Sequence, residues 1–170
     1  MIQKSTPKKK VIELGDECDR CGHCCSFTSG FVLPDEIKQL AEHFKISEKE
    51  FKSRFLEKTK RFNTTHHIIK QKRSNLPNGR CIFLKNKQCT IHEIKPLYCK
   101  IANCKKNSSE LLQWYNLNYF VNKNDPHSIR EWSMFTRFNR PIKGGSLKEL
   151  VKEKELKKIL DYKDLTIGGN

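Results

Sequence analysis

Apolar residues recur along this chain at helical spacing in several stretches, and that spacing predicts most of its elements. Ile37, Leu40, Ala41 and Phe44 lie three and four apart, which places them on one side of an amphipathic helix over residues 35–44. Pro34 stands where proline suits a helix start, and Asp35 and Glu36 complement the dipole. Ser47 and Glu50 have the spacing of a capping box, opening a second helix that sets Phe51 and Phe55 on one face. Those two rings read as core rather than as a ligand stack. A longer helix from Ser108 or Ser109 carries Leu111, Leu112, Trp114, Tyr115 and Tyr119. Asp125-Pro126 opens another with Ile129, Trp132, Met134 and Phe135. Ser146 and Glu149 cap a final helix whose Leu150, Val151, Leu156, Ile159 and Leu160 form a stripe.

The extended segments are fewer. Phe31-Val32-Leu33 predicts a short strand, and residues 65–72 predict one near an edge, β-rich at first and then polar. Its His66-His67 pair should face opposite ways, one to the surface and one to the core. Residues 75–79 have the composition of a turn. Residues 81–84 and 89–92 flank the polar link 85–88, which suggests a small hairpin. Pro96 should precede a short helical turn with Leu97, Tyr98 and Cys99. The fold class expected is α+β and mostly helical, a small metal-stapled cysteine-rich core with a minor β-hairpin and a helical C-terminal part. The expected organisation is a flexible basic lead-in over 1–14, a cysteine-cluster metal-binding domain over 15–106, and a helical extension over 107–170 packed on the same domain.

Composition narrows the setting. In 170 residues, 34 Lys and Arg against 19 Asp and Glu give a formal charge of +15. The basic residues are spread along the chain rather than massed in one block, so a solvated basic surface is the first reading. Contact with a protein partner or an acidic surface comes second, and nucleic acid is the weaker alternative. The Lys-rich start is not followed by the roughly 7–15 apolar residues of a secretory signal. No stretch approaches the ~18 apolar residues of a membrane span. The expectation is therefore a cytoplasmic chain without membrane contact, where paired cysteines hold metal more often than disulfides.

The chemistry lies in the cysteines. All eight fall in two clusters: Cys18, Cys21, Cys24 and Cys25, then Cys81, Cys89, Cys99 and Cys104. Two cysteines two residues apart can turn both sulfurs toward one ion. That spacing occurs twice in succession here, so three thiolates can converge in what reads as a metal-wrapped loop, with Gly22 allowing a tight bend. Cys24 and Cys25 are neighbours and should aim differently, one to this site and one elsewhere. The remaining donor must come from Cys25 or the second cluster, so the clusters are expected to meet.

A Cys-x2-Cys-x2-Cys run plus a remote cysteine suits an iron–sulfur cluster, of the [4Fe–4S] type, whereas structural zinc more often takes two separated pairs. Iron–sulfur is preferred and zinc is the alternative, although the Cys-Pro that follows such runs in bacterial ferredoxins is missing. All eight cysteines are candidate ligands. His92, three residues after Cys89, could complete a zinc site, but packing beside the cluster is the preferred reading, and His23 is placed outside the ligand shell.

The ordered set Cys18-x2-Cys21-Gly22-x-Cys24-Cys25, Cys81-x-Phe83-Leu84, then Cys89-x-Ile91-His92-x3-Pro96-x2-Cys99 resembles the CxxCxxCC cysteine-cluster family. The resemblance spans about residues 18–104, with Lys95-Pro96 where the family usually shows Arg-Pro and His92 where an aromatic is usual. It implies a zinc- or iron-chelating domain, and likeness to flagellin lysine N-methylases. Three functions follow as expectations: an accessory or sensor module built on a metal centre, a protein-lysine N-methylase using that centre, and a zinc-scaffolded RNA-binding protein. No Gly-rich dinucleotide loop follows a strand, which argues against a Rossmann-type methyltransferase, and no catalytic residue stands out.

Overall fold

The computed structural model describes residues 1–15, 18–73 and 79–163, and within them the chain is a mostly helical α+β protein. It forms two compact units, one of residues 8–59 and 65–108, the other of residues 1–7, 60–64 and 109 onward.

The first unit holds every cysteine. Helix α1 (Lys8–Gly15) is followed by α2 (His23–Phe27), strand β1 (Phe31–Val32), α3 (Pro34–His43) and α4 (Glu48–Phe55). The two central helices start as the sequence predicts. Pro34 opens α3, and the Glu36 carboxylate accepts from Leu33 N at 2.8 Å. Ser47 caps α4 by accepting from Glu50 N at 3.1 Å. Packed together, α3 and α4 bring Phe44, Phe51 and Phe55 into one cluster with Phe83, ring centroids 5.1–5.8 Å apart. This is the middle of a core that also takes in Ile37, Leu40, Ile69, Leu84 and Ile91.

Three small antiparallel sheets line this core. Strands β2 (Leu56–Arg61) and β3 (Thr64–Ile69) form the first with β1, in the order β1-β3-β2, with Phe31 opposite Ile68. The stretch expected near an edge is thus the central strand, because two neighbours claim both sides of its backbone. His66 and His67 are both half-buried, rather than one exposed and one in the core. The chain continues as β4 (Gln71–Lys72), which pairs with β5 (Arg80–Cys81), Gln71 opposite Cys81. The turn expected at 75–79 lies outside the described residues except for Gly79. Strands β6 (Leu84–Lys85) and β7 (Gln88–Cys89) make a hairpin shorter than predicted. Its two-residue link, Asn86-Lys87, has φ of 48° and 62°, the mirror-image turn whose twist matches the strands. A 3₁₀ turn (His92–Ile94) leads through Pro96 to α5 (Leu97–Ile101), which packs on α1 and beside β1.

The basic stretch expected as a lead-in over residues 1–14 contains most of α1. Residues 8–15 are helical with Val11 fully buried, and Asn103 Nδ2 donates to Gly15 O at 2.9 Å. The site explains the glycine, since a Cβ at residue 15 would stand 2.8 Å from Ile101 Cα. In the second unit Ile2 is buried, and Trp114 Nε1 donates to Thr6 O at 2.8 Å.

That second unit contains α6 (Ser108–Tyr119), α7 (Pro126–Thr136), α8 (Leu147–Leu150) and α9 (Glu153–Leu160). Asp125 caps α7, whose Trp132 is buried while Met134 is exposed. Gln113 is buried because it bridges a loop, donating to Arg140 O and accepting from Ile142 N, both at 3.0 Å. The single final helix expected from Ser146 is two. The backbone is extended at Val151 and Lys152, which buries Leu150 and Val151 together, and Glu153 and Glu155 then complement the start of α9.

Phe51 has no exposed surface. Replacing it with Ala should cost about 3–5 kcal/mol, read as a lower urea midpoint. A loss below about 1 kcal/mol would mean that the aromatic cluster is not the core of its unit.

Candidate metal centre

Three backbone devices bring the two cysteine clusters together. The first is a reversal between Cys18 and Cys24, where Arg20 and Gly22 take left-handed φ of 55° and 71°. A side chain at residue 22 would also meet Lys87 O at 2.6 Å, so this glycine lets the loop lie against the β6–β7 turn. Gly22 O then accepts from Ser26 N at 3.0 Å and starts α2. The loop reading therefore holds for Cys18 and Cys21, but Cys24 and Cys25 ride on a helical turn packed on β5.

The second device is the Ser29-Gly30 corner. Ser29 is buried, donates to Ile69 O and accepts from Gln71 Nε2 at 3.1 Å, while Gln71 Oε1 accepts from Gly79 N at 3.0 Å. Gly30 O accepts from Ile69 N at 3.0 Å. A Cβ at residue 30 would overlap the Cys99 sulfur, so that sulfur occupies the space a side chain would need. The third device is Glu36, whose second oxygen accepts from Leu97 N at 2.6 Å and ties the start of α5 to the start of α3. Lys105 and Asp19 add an ion pair at 2.8 Å between the two cysteine segments. It is solvent-accessible and contributes little energy.

As a result all eight cysteines line one cavity of about 80 Å³. Cys81 is buried, Cys18, Cys24, Cys25, Cys89 and Cys99 are half-buried, and Cys21 and Cys104 are exposed at the rim. Ile69, Leu84 and Ile91 form apolar wall between them, and Thr28, Ser29 and Gly30 complete one side. Cys24 and Cys25 both face the cavity instead of parting, because a helical turn separates neighbouring side chains less than an extended strand does. His23 does not line it and packs on Phe27. His92 does line it, but its Nε2 is taken by Lys95 Nζ at 3.3 Å, the arrangement of a histidine packed beside the centre.

The thiols differ in acidity for physical reasons. Burial pushes Cys81, Cys89 and Cys99 above the ordinary thiol value of 9.0. Repulsion from neighbouring sulfurs adds to it, Cys89 acting on Cys81, and Cys81 and Cys89 acting on Cys99. The Cys25 thiol donates to the Cys24 sulfur, which draws Cys24 down to about 6 and holds the proton on Cys25. Among the described residues no three His, Cys, Asp or Glu side chains are already closed into a metal-binding group. The thiols ring the cavity without meeting at a point. Their chemistry nevertheless fits a thiophilic metal: soft donors from two segments, an apolar wall, and acceptor sulfurs facing one space.

The model of the CxxCxxCC family, described as "Putative zinc- or iron-chelating domain", matches residues 17–124. No curated protein and no solved structure matches the chain.

Two predictions follow from the geometry. Gly30→Ala should displace the Cys99 sulfur and lower both metal content and melting temperature, whereas normal values for both would show that the contact is dispensable. The second concerns pH in chelated, reduced protein. Cys24, lowered when folded, adds stability that is complete above 9.0 and is lost as pH falls through about 6. Cys25, Cys81, Cys89 and Cys99, raised when folded, add stability that is complete below 9.0 and is lost as pH rises further. The thiol contribution should therefore peak near pH 9, and Cys24→Ser should remove the rise on its acid side. Melting temperatures across pH, compared between wild type and variant, check this.

Proposed function

The chain belongs to the CxxCxxCC family, and from that membership and the cavity of eight thiols we propose that it holds an iron–sulfur cluster and acts as an accessory or sensor module. The gathering of all eight cysteines on one cavity carries this reading. A zinc ion and a cubane cluster each take four protein ligands, so eight thiols suffice for either and the order of the ligands along the chain favours the cluster. The triple run from Cys18 to Cys24, joined by a remote cysteine such as Cys99, has the ligand order of a cubane cluster. Bound there, such a cluster supplies one-electron redox chemistry and sensitivity to oxidants.

The ligands are drawn from Cys18, Cys21, Cys24, Cys25, Cys81, Cys89, Cys99 and Cys104, with Cys18, Cys21 and Cys99 as direct ligands. The half-buried Cys99 sits where α5 meets Gly30, and the 18–21 loop lines the same cavity. Ile69, Leu84 and Ile91 exclude water from the inner thiols. Exposed Cys21 and Cys104 leave the centre open toward solvent, as sensing requires.

Anaerobic purification followed by metal and acid-labile sulfide analysis tests the proposal. Brown protein with iron and sulfide supports it, and colourless protein with zinc replaces the cluster by zinc. Cys21→Ser or Cys99→Ser should lower metal content and melting temperature together, and full metal occupancy in either variant removes that residue from the ligand set. Metal removal should expose residues 18–30 and 81–104 to proteolysis, since ligation free energy becomes folding free energy. A digestion pattern indifferent to chelation would contradict it.

A further inference from the structure

The cavity contains a buried cation as well as thiols. Lys95 is only 7% exposed, yet it lines the cavity beside Cys89 and Cys99. Its ammonium has one polar side-chain partner among the described residues, His92 Nε2 at 3.3 Å, and no carboxylate pairs with it. Glu36, which reaches the start of α5, is committed to Leu33 N and Leu97 N. The exposed Glu93 carboxylate lies 3.5 Å from the other nitrogen of His92. Arg20 and Lys87 also reach the cavity, but both are exposed and screened by solvent. Among the described residues no negative charge is paired with this ammonium, and burial of a charge demands one.

Thiolates supply that countercharge. Cysteines lose their protons on binding metal, and four thiolates around one divalent ion carry more negative charge than the ion neutralises. Lys95 already acts favourably on the negative form of Cys89 and Cys99. We propose that Lys95 is the built-in counter-cation of the thiolate centre: its buried ammonium, steered by His92, offsets the charge the cysteines acquire on ligation and sets how tightly the metal is held. This rests on the reading that the cysteines hold a metal. The residue is a positioning and charge-balancing group and touches no substrate.

The test uses full-length reduced protein, loaded with Zn²⁺ alone and competed against a chelator, as wild type, Lys95→Met and Lys95→Arg. The methionine variant should bind Zn²⁺ about 10–100-fold more weakly, the range for outer-shell partners of a metal site, and the arginine variant should recover most of the loss. With the metal removed, Lys95→Met should melt at or above the wild-type temperature, because an uncompensated buried charge is gone. A role in packing alone would lower stability equally in both states and leave Lys95→Arg unable to rescue, which would overturn the proposal. Undiminished Zn²⁺ affinity in Lys95→Met would overturn it too, and Lys95→Gln provides a second neutral variant if the first does not fold. Wild-type protein that takes up neither zinc nor iron would refute the metal reading itself, whereas uptake unaffected by either neutral variant would refute the role of Lys95 alone.

Discussion

A sulfur withdrawn from water cannot keep an unpaired negative charge, so it holds its proton as a thiol or releases it and binds a metal. That choice governs the cysteine-bearing unit. Cys81, Cys89 and Cys99 sit against one another and against apolar wall, so none ionises readily alone. A metal reverses the preference of all of them together, because each thiolate is stabilised by the same cation. Cys24 and Cys25 keep one proton between them, which leaves one sulfur ready to ligate while the other remains neutral.

Sulfurs remote in sequence reach one space because buried polar groups replace regular secondary structure as the fastening. The described strands beside the cavity are two residues long at β4, β5, β6 and β7, too short to hold a register unaided. Glu36 with Leu97 N and Asn103 with Gly15 O join segments that no sheet joins, and Ser29 with Gln71 carries the β1–β3 pairing past its end. An unmade hydrogen bond in such a place is costly, so these contacts specify where the loops go. Gly22 and Gly30 then remove the side chains that would keep backbone from Lys87 O and the Cys99 sulfur.

The elements legible in the sequence were those whose signal is local. Pro34, Ser47 and Asp125 mark helix starts by interactions within one turn, and α3, α4 and α7 begin at those marks. The two cysteine clusters were legible as metal chemistry because ligand spacing is local as well, and their convergence followed from the need for a fourth donor. What escaped depends on distant partners. The lysine-rich start of α1 has no apolar stripe, and its helix rests on Val11 and on close approach to α5. The central place of β3 depends on β1, a distant segment whose Phe31 and Val32 stand opposite Ile68 and His67. The break between α8 and α9 answers to tertiary burial of Leu150 and Val151, which a continuous stripe conceals. Nothing local in the sequence marks Lys95 for burial, yet the fold buries it beside the cavity.

The cavity and the hydrophobic core share a wall, and this ties the site's chemistry to the stability of its unit. Ile69, Leu84 and Ile91 line the thiol cavity on one side and belong on the other to the cluster containing Phe51 and Phe83. Cys25, Cys89 and Cys99 pack against that same cluster. Interiors are dense enough that one wall cannot shift without its neighbours. Of the aromatic cluster, Phe44 at the end of α3 and Phe51 and Phe55 on α4 come from helices that carry no cysteine, whereas Phe83 stands two residues after Cys81. Phe83, Leu84 and Ile91 lie in the same segment as Cys81 and Cys89, so protonation or ligation of those sulfurs reaches the core directly. The state of the cysteines and the packing of the core are thereby coupled, and the stability of the unit follows the state of its sulfurs.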